Sequence, residues 1–244
     1  MGVGSDRRVE KAAGMVWEAV LICLLAQIAT EWAMQTPYNP LVDAVSDLGQ
    51  TTCTAQFCSP WFWMVDTSFV LLGLCLAIGG WLSHLSAPRL CWVSWVATIA
   101  LSVGGAGMVV VGLAPENVHF WIHVGGAAVG LIGGNLGAAF AGWALLRSRG
   151  HRPTGVSAMV VGLAGLAGSM LSALVFAGEL RMLIGVGGGL ERLGVEPLLL
   201  VMALSGGALL LGEDVVAVAL RGIQRGSARR DDQRDVAPGP GQRA

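Results

Sequence analysis

Six mostly apolar stretches, approximately 15 to 35, 61 to 83, 91 to 113, 119 to 146, 155 to 178 and 196 to 220, alternate with short polar connections. Each is near or above the roughly 20 residues that carry a helix across the hydrocarbon core. The pattern predicts an all-α, polytopic membrane bundle of six transmembrane helices. The chain then divides into an N-terminal segment 1–14, a transmembrane domain 15–223 and a tail 224–244. The Asp, Arg, Pro and Gly content of the tail predicts solvated, disordered chain.

The basic residues orient the spans. Of 15 Lys and Arg residues, all but Arg181 and Arg192 fall before the first stretch, in the second and fourth connections, or after the sixth. Positive charge collects on the cytoplasmic side, so both termini are predicted to be cytoplasmic. Five or seven spans would put one of these basic groups on the wrong side. The opposite end gathers Glu31, Asp43, Asp47, Asp66, Glu116, Glu179, Glu191 and Glu196. Function is therefore sought at that extracytoplasmic end, in the connections 36–60, 114–118 and 179–195. Gly185, Gly187, Gly188 and Gly189 argue against regular helix in the last of these.

Composition narrows the class further. A chain 54% hydrophobic and 13% charged, with mean hydropathy +0.66, is too apolar for a soluble domain. No basic domain points to nucleic acid, and the partners implied are membrane lipid or an amphiphilic small molecule. Met15 to Met34 is long enough to span and ends without a small-residue cleavage site, so it reads as a retained helix. Cys23, Cys75 and Cys91 lie in or beside apolar segments as packing residues. Cys53 and Cys58 lie in the first outer connection, where either a disulfide staple or two free thiols is open.

Gly126, Gly130 and Gly134, with Gly133 and Gly137, mark the fourth helix for close packing, as Gly162, Gly165 and Gly168 mark the fifth. They leave the oligomeric state open. Asn135 is placed to make an interhelical hydrogen bond. Trp17, Trp81, Trp92 and Trp143 read as cytoplasmic interface anchors, and Trp32, Trp61, Trp63 and Trp121 as outer ones. The alternative for Trp63 and Trp121 is an inward turn that walls a ligand pocket.

The remaining charged groups suggest chemistry. Asp66 sits about five residues into the second helix, roughly 7 to 8 Å below its start, and should face the bundle interior. It is a structural hydrogen-bonding group or a functional one. His119 and His123 lie one turn apart, so both rings can approach one centre. They are candidate ligands, with Asp66, for a divalent metal such as zinc; candidate acid/base groups; or interfacial hydrogen-bonding residues. Glu116 is placed to cap the fourth helix. Asn39 to Gly49 reads as a short interfacial helix that folds Ser46 and Asp47 towards the histidines. Glu191 and Arg192, before the sixth helix, offer an acid/base carboxylate and a guanidinium that either locks the loop onto Glu191, Glu116 or Asp66 or receives an anionic ligand group.

These pieces resemble the bacterial membrane-protein family called domain of unknown function 998. The residues that carry the resemblance are Asn39 to Gly49, Pro60 to Asp66, Gly112 to Glu116 with His119 and His123, and Gly189 to Pro197. Where family members carry an aromatic before that proline, this chain has Glu196. The resemblance implies a multi-pass protein of the bacterial cytoplasmic membrane. There is a looser likeness to intramembrane hydrolases related to alkaline ceramidases, which use serine, aspartate and histidines around zinc. Ser46, Asp66, His119 and His123 match part of that set, but the chain has six spans rather than seven and no histidine beyond His151.

The leading expectation is an extracytoplasmic-facing intramembrane enzyme acting on a lipid or other amphiphile. Asp66, His119 and His123 surround its reacting centre, with Asp47 or Glu191 as acid/base partner. Ser46, Trp63, Glu116, Trp121 and Arg192 stand as substrate-binding residues, and a metal would activate water for hydrolysis. The alternatives are a terpenoid cyclase initiated by a shielded carboxylic acid and a non-enzymatic accessory or immunity protein.

Overall fold

The computed structural model describes residues 7–86, 92–147 and 152–212. The helices are α1 (Arg7–Ala19), α2 (Leu21–Ala33), α3 (Phe62–Ser86), α4 (Trp92–Leu113), α5 (Phe120–Leu146), α6 (Arg152–Phe176) and α7 (Gly187–Leu211), with 3-10 turns at Val45–Gly49 and Arg181–Val186. Among the described residues, six helical spans are long and apolar enough to cross a membrane, the first formed by α1 and α2 together over Arg7–Ala33. The tail from 224, residues 213–220 of the predicted sixth span, Arg89, Cys91, Arg149 and His151 lie outside the described residues.

The α1 to α2 junction is a local tightening at Val20, whose N–H bonds the Trp17 carbonyl three residues back. Residues 7–14, assigned from sequence to the segment preceding the bundle, form the first turns of α1. Ala13 and Gly14 are buried there, and Gly14 packs on Leu210 and the Gly206 carbonyl of α7. The spans pack in sequence order, α3 on α4, α4 on α5, α5 on α6 and α6 on α7, and α7 closes on α1. The result is a ring with Leu76, Val65, Leu101 and Leu199 in its core.

Small residues set how close the helices come. A Cβ on Gly107 of α4 would lie 2.7 Å from the Gly126 carbonyl oxygen of α5, and one on Gly104 would lie 2.8 Å from the Gly133 carbonyl carbon. Lipid offers no hydrophobic drive to pair two apolar helices, so contact at backbone distance supplies the attraction. Asn135 Nδ2 donates to the Gly194 carbonyl of α7 at 2.9 Å, the interhelical bond the sequence predicts. Its Oδ1 has no hydrogen-bond partner and sits where a Gly165 side chain would stand.

Two predicted features differ. Trp17 is buried rather than interfacial, with its ring against Gly79 and its N–H donated to Ser83 Oγ at 2.8 Å. The glycine-rich stretch read as part of a loop instead opens α7 at Gly187, because glycines let the helix start come close to other backbone. A Cβ at Gly188 would meet the Asp43 carbonyl. Glu191 and Arg192 are therefore helical residues with fixed directions.

Replacing Gly107 by alanine forces rigid backbone apart and is expected to destabilise the bundle by about 1–3 kcal/mol. Gly125→Ala, with open space around the site, is the control. Thermal unfolding in detergent separates the two, and equal stability would remove the close-packing account.

Candidate functional site

The connection between α2 and α3 crosses the acidic end as a strap. The Asn39 carbonyl accepts the N–H groups of Val42 and Asp43, and the 3-10 turn Val45–Gly49 follows. The short interfacial helix predicted over 39–49 is thus a turn followed by a 3-10 turn. Val45 and Leu48 are buried beneath it and fix its inner face. Its far side is closed by a disulfide between Cys53 and Cys58, and Asn117, between α4 and α5, donates from Nδ2 to Thr52 Oγ1 at 2.9 Å.

The near side of the strap is bound to α7. The N–H groups of Gly188 and Gly189 donate to the Val42 and Leu41 carbonyls at 3.2 and 2.9 Å. Glu191 Oε2 accepts the Val45 N–H at 3.1 Å. Arg192 donates from Nε to the Pro40 carbonyl at 3.1 Å and from Nη2 to the Tyr38 hydroxyl at 2.7 Å. It also pairs with Glu31 at 2.7 Å and Glu196 at 2.8 Å. The Tyr38 hydroxyl in turn donates to the Ala44 carbonyl at 2.8 Å, and burial raises the pKa of its phenol, so the hydroxyl stays protonated and able to donate. Arg192 thus locks the strap through Tyr38 and Pro40, and its ion pairs are with Glu31 and Glu196 rather than the predicted Glu191, Glu116 or Asp66. A guanidinium that spends four of its N–H groups on these partners acts as a clasp.

Beneath the strap lies a narrow crevice lined by Val45, Ser46, Phe69, Met108, Val111, His123, Ala127, Leu131, Glu191 and Val195. His123 is 4% exposed, and its Nδ1 lies 2.8 Å from the Ala114 carbonyl. A carbonyl oxygen only accepts, so Nδ1 donates and Nε2 is the ring atom left to other partners. Ser46 and His123 come to one crevice, as the sequence predicts.

His119 does not join them. It is exposed and precedes α5 with φ −131° and ψ 54°, outside the helical register that one-turn spacing assumes. Asp66 is half-buried with an oxygen against Gly49 of the strap, away from the crevice lining. The ligand set His119, His123 and Asp66 therefore does not converge. Among the described residues no three His, Cys, Asp or Glu side chains are arranged to hold a metal ion. Trp63 and Trp121 are 58% and 81% exposed and lie outside the lining of this crevice. Glu116 does not cap α5, which lacks a side-chain cap; its Oε2 is buried without a hydrogen-bond partner.

Asp47, Glu116 and Glu191 form a like-charged group. Asp47 accepts the Ala44 N–H at 2.9 Å and the Gln50 amide at 2.8 Å. Burial, followed by the Glu116 charge, pushes its pKa up to about 6 despite those two bonds. Sequence reasoning missed Glu31 and Tyr38 as partners of Arg192, since the pairs join positions far apart in the chain.

Six apolar spans in a ring, with carboxylates and a buried histidine under a strap at one end, define a polytopic membrane protein. The chain belongs to DUF998, a family of proteins of unknown function, which it matches over residues 19–221, and it is a multi-pass bacterial membrane protein. No curated protein and no solved structure matches it, and the looser likeness to ceramidase-related hydrolases gains no support.

Arg192→Gln removes both ion pairs and is expected to cost about 1–3 kcal/mol. Hydrogen exchange should rise in residues 38–49 before the α4 and α5 core opens, and unchanged strap protection would refute the clasp. Between about pH 4 and pH 6 the folded protein holds an Asp47 proton that the unfolded chain has released. Stability therefore falls as pH rises through that window, and the penalty is complete above it. Asp47→Asn should flatten this slope in a thermal unfolding series.

Proposed function

We propose that this protein is an intramembrane enzyme that acts on a lipid or other amphiphile at its acidic end, by acid–base chemistry centred on His123 and Glu191. The observation that carries the reading is the burial of His123 beside Glu191 and Ser46 in one crevice. The imidazole, held at Nδ1 by the Ala114 carbonyl, lines a crevice that also holds a carboxylate and the Ser46 hydroxyl. A base of fixed orientation beside an acid is the arrangement general acid–base catalysis needs.

His123 takes a proton from the reacting group, Glu191 holds or returns one, and Ser46 orients the substrate. Asp47 and Glu116 tune the local charge. Phe69, Met108, Val111, Ala127, Leu131 and Val195 supply an apolar wall around these polar groups. The basic residues Arg7, Arg8, Lys11, Arg147 and Arg152 stand at the other end of the spans, which supports an extracytoplasmic orientation for the site. No step is routed through a metal, because the histidine and aspartate ligands do not meet. Acid-initiated cyclisation of a terpenoid has Glu191 in an apolar setting but lacks Trp63 and Trp121 as its aromatic wall.

His123→Asn keeps an amide N–H for the Ala114 carbonyl while removing Nε2. In proteoliposomes made from total bacterial lipid, the wild-type protein is expected to change the lipid profile by mass spectrometry. His123→Asn and Glu191→Gln should lower that turnover at least 100-fold, and His119→Ala should leave it unchanged. Identical profiles with folded wild-type and His123→Asn protein would sink the catalytic reading and leave an accessory role.

A further inference from the structure

The crevice is closed in this structure. Its free space takes no more than about one water molecule, so a substrate reaches His123 and Glu191 only if part of the lining moves. Val45 and Ser46 come from the strap, and the rest of the lining stands on α3, α4, α5 and α7. The strap is the part of that lining not built into a spanning helix.

The strap is tied at both ends. Upstream, residues 38–43 are bound by Arg192 and by the Gly188 and Gly189 N–H groups. Downstream, Thr51 and Thr52 bond Asn117, and the disulfide closes 53–58. Between these ties the turn Val45–Gly49 rests on buried Val45 and Leu48, on Glu191 at the Val45 N–H and on the Ser59 hydroxyl at the Leu48 carbonyl. Movement is therefore confined to the middle of the strap.

That middle carries charge of the same sign as the bundle beneath it. Asp47 stands on the turn, where the charges of Glu116, from the α4 to α5 connection, and of Asp43 act on it. Glu191 of α7 is acted on by both Glu116 and Asp47, and an Asp66 oxygen of α3 lies against Gly49. Glu116 Oε2 is buried without a hydrogen-bond partner. Positive charge does not balance the group. Arg192 is engaged by Glu31, Glu196, Tyr38 and Pro40, His123 of α5 is held at Nδ1 by the Ala114 carbonyl, and Arg181 and His119 are exposed.

From this geometry we propose that the Val45–Gly49 turn is a proton-controlled lid over the crevice, closed while Asp47 is protonated and lifted once that carboxyl ionises beside Glu116 and Glu191. The device regulates the site described under the proposed function and rests on that assignment of the crevice, while its test reads the strap and not turnover. Burial, followed by the Glu116 charge, lets the closed lid hold the Asp47 proton up to about pH 6. A carboxyl lifted into solvent releases it near about pH 4. The closed state therefore weakens as pH rises between those values, and Asp47 weakens it no further above them.

Hydrogen exchange of the detergent-purified full chain, followed by mass spectrometry between about pH 4 and pH 8 and corrected for the intrinsic pH dependence of amide exchange, tests this. The reporting amides are Val45, Asp47 and Gln50, each hydrogen-bonded in the closed strap. Their protection is expected to fall about tenfold or more up to about pH 6 and then level off, while α4 and α5 keep theirs. Asp47→Asn, which keeps an oxygen for the Ala44 N–H, should flatten the fall, and Glu116→Gln should shrink it. Glu179→Gln, on the exposed connection after α6, should change nothing. Protection independent of pH, an equal loss in α4 and α5, or an unchanged fall in folded Asp47→Asn would overturn the proposal. If the variants fail to fold, the wild-type profile decides alone. A pH-dependent lid without lipid turnover supports the lid and sinks only the catalytic reading, whereas turnover with pH-independent protection sinks only the lid.

Discussion

Arg192 is the interaction on which the acidic end depends. Its guanidinium gathers α2 through Glu31, the strap through Tyr38 and Pro40, and its own helix through Glu196. Irregular backbone at the rim of a membrane bundle is tolerated only when its polar groups are satisfied by protein or water. The paired N–H groups of Gly188 and Gly189 meet part of that demand, and the arginine fixes the register in which they do so. The crevice follows from this register, since Val45 and Ser46 line it only while the strap lies on α7.

The same end is poorly compensated in charge. Three carboxylates lie near one another, and the nearest cation is already engaged. Structures selected for stability alone seldom gather like charges in a partly buried place, because each is costly to desolvate and repels its neighbours. Asp47 carries that cost in a raised pKa despite two hydrogen bonds to its carboxylate. The strain is local, since the glycine-lined contacts between α4 and α5 lie deeper in the bundle.

Hydropathy made the six spans legible because the hydrocarbon thickness fixes a minimum length for every helix that crosses it. The start of α7 was not legible, since glycine is a loop signal in water but a packing residue where backbones touch. The pairing of His119 with His123 failed for a geometric reason. One-turn spacing aligns two side chains only if both lie inside the helix, and α5 begins at Phe120. The polar residues of the site were visible as a set at one end, but their partners were not. Which carboxylate meets Arg192 is decided by how the first and last spans close the ring, and Glu31 carries no local sign of that contact. The nearness of Cys53 and Cys58 in the chain made their bridge an open option that the fold then realised.

The ring closure has a consequence for how the molecule is made. Every extensive contact in the wall except one joins spans adjacent in sequence, so helices can dock on their predecessors as they leave the ribosome. The exception is the seam where Gly14 and Trp17 of α1 meet Gly206 of α7. Until the final span arrives, the first has a bare groove, and the strap has neither Glu191 nor Arg192 to rest on. Assembly of the acidic end is therefore the last event in biogenesis, and a chain interrupted before α7 inserts five spans without forming a site.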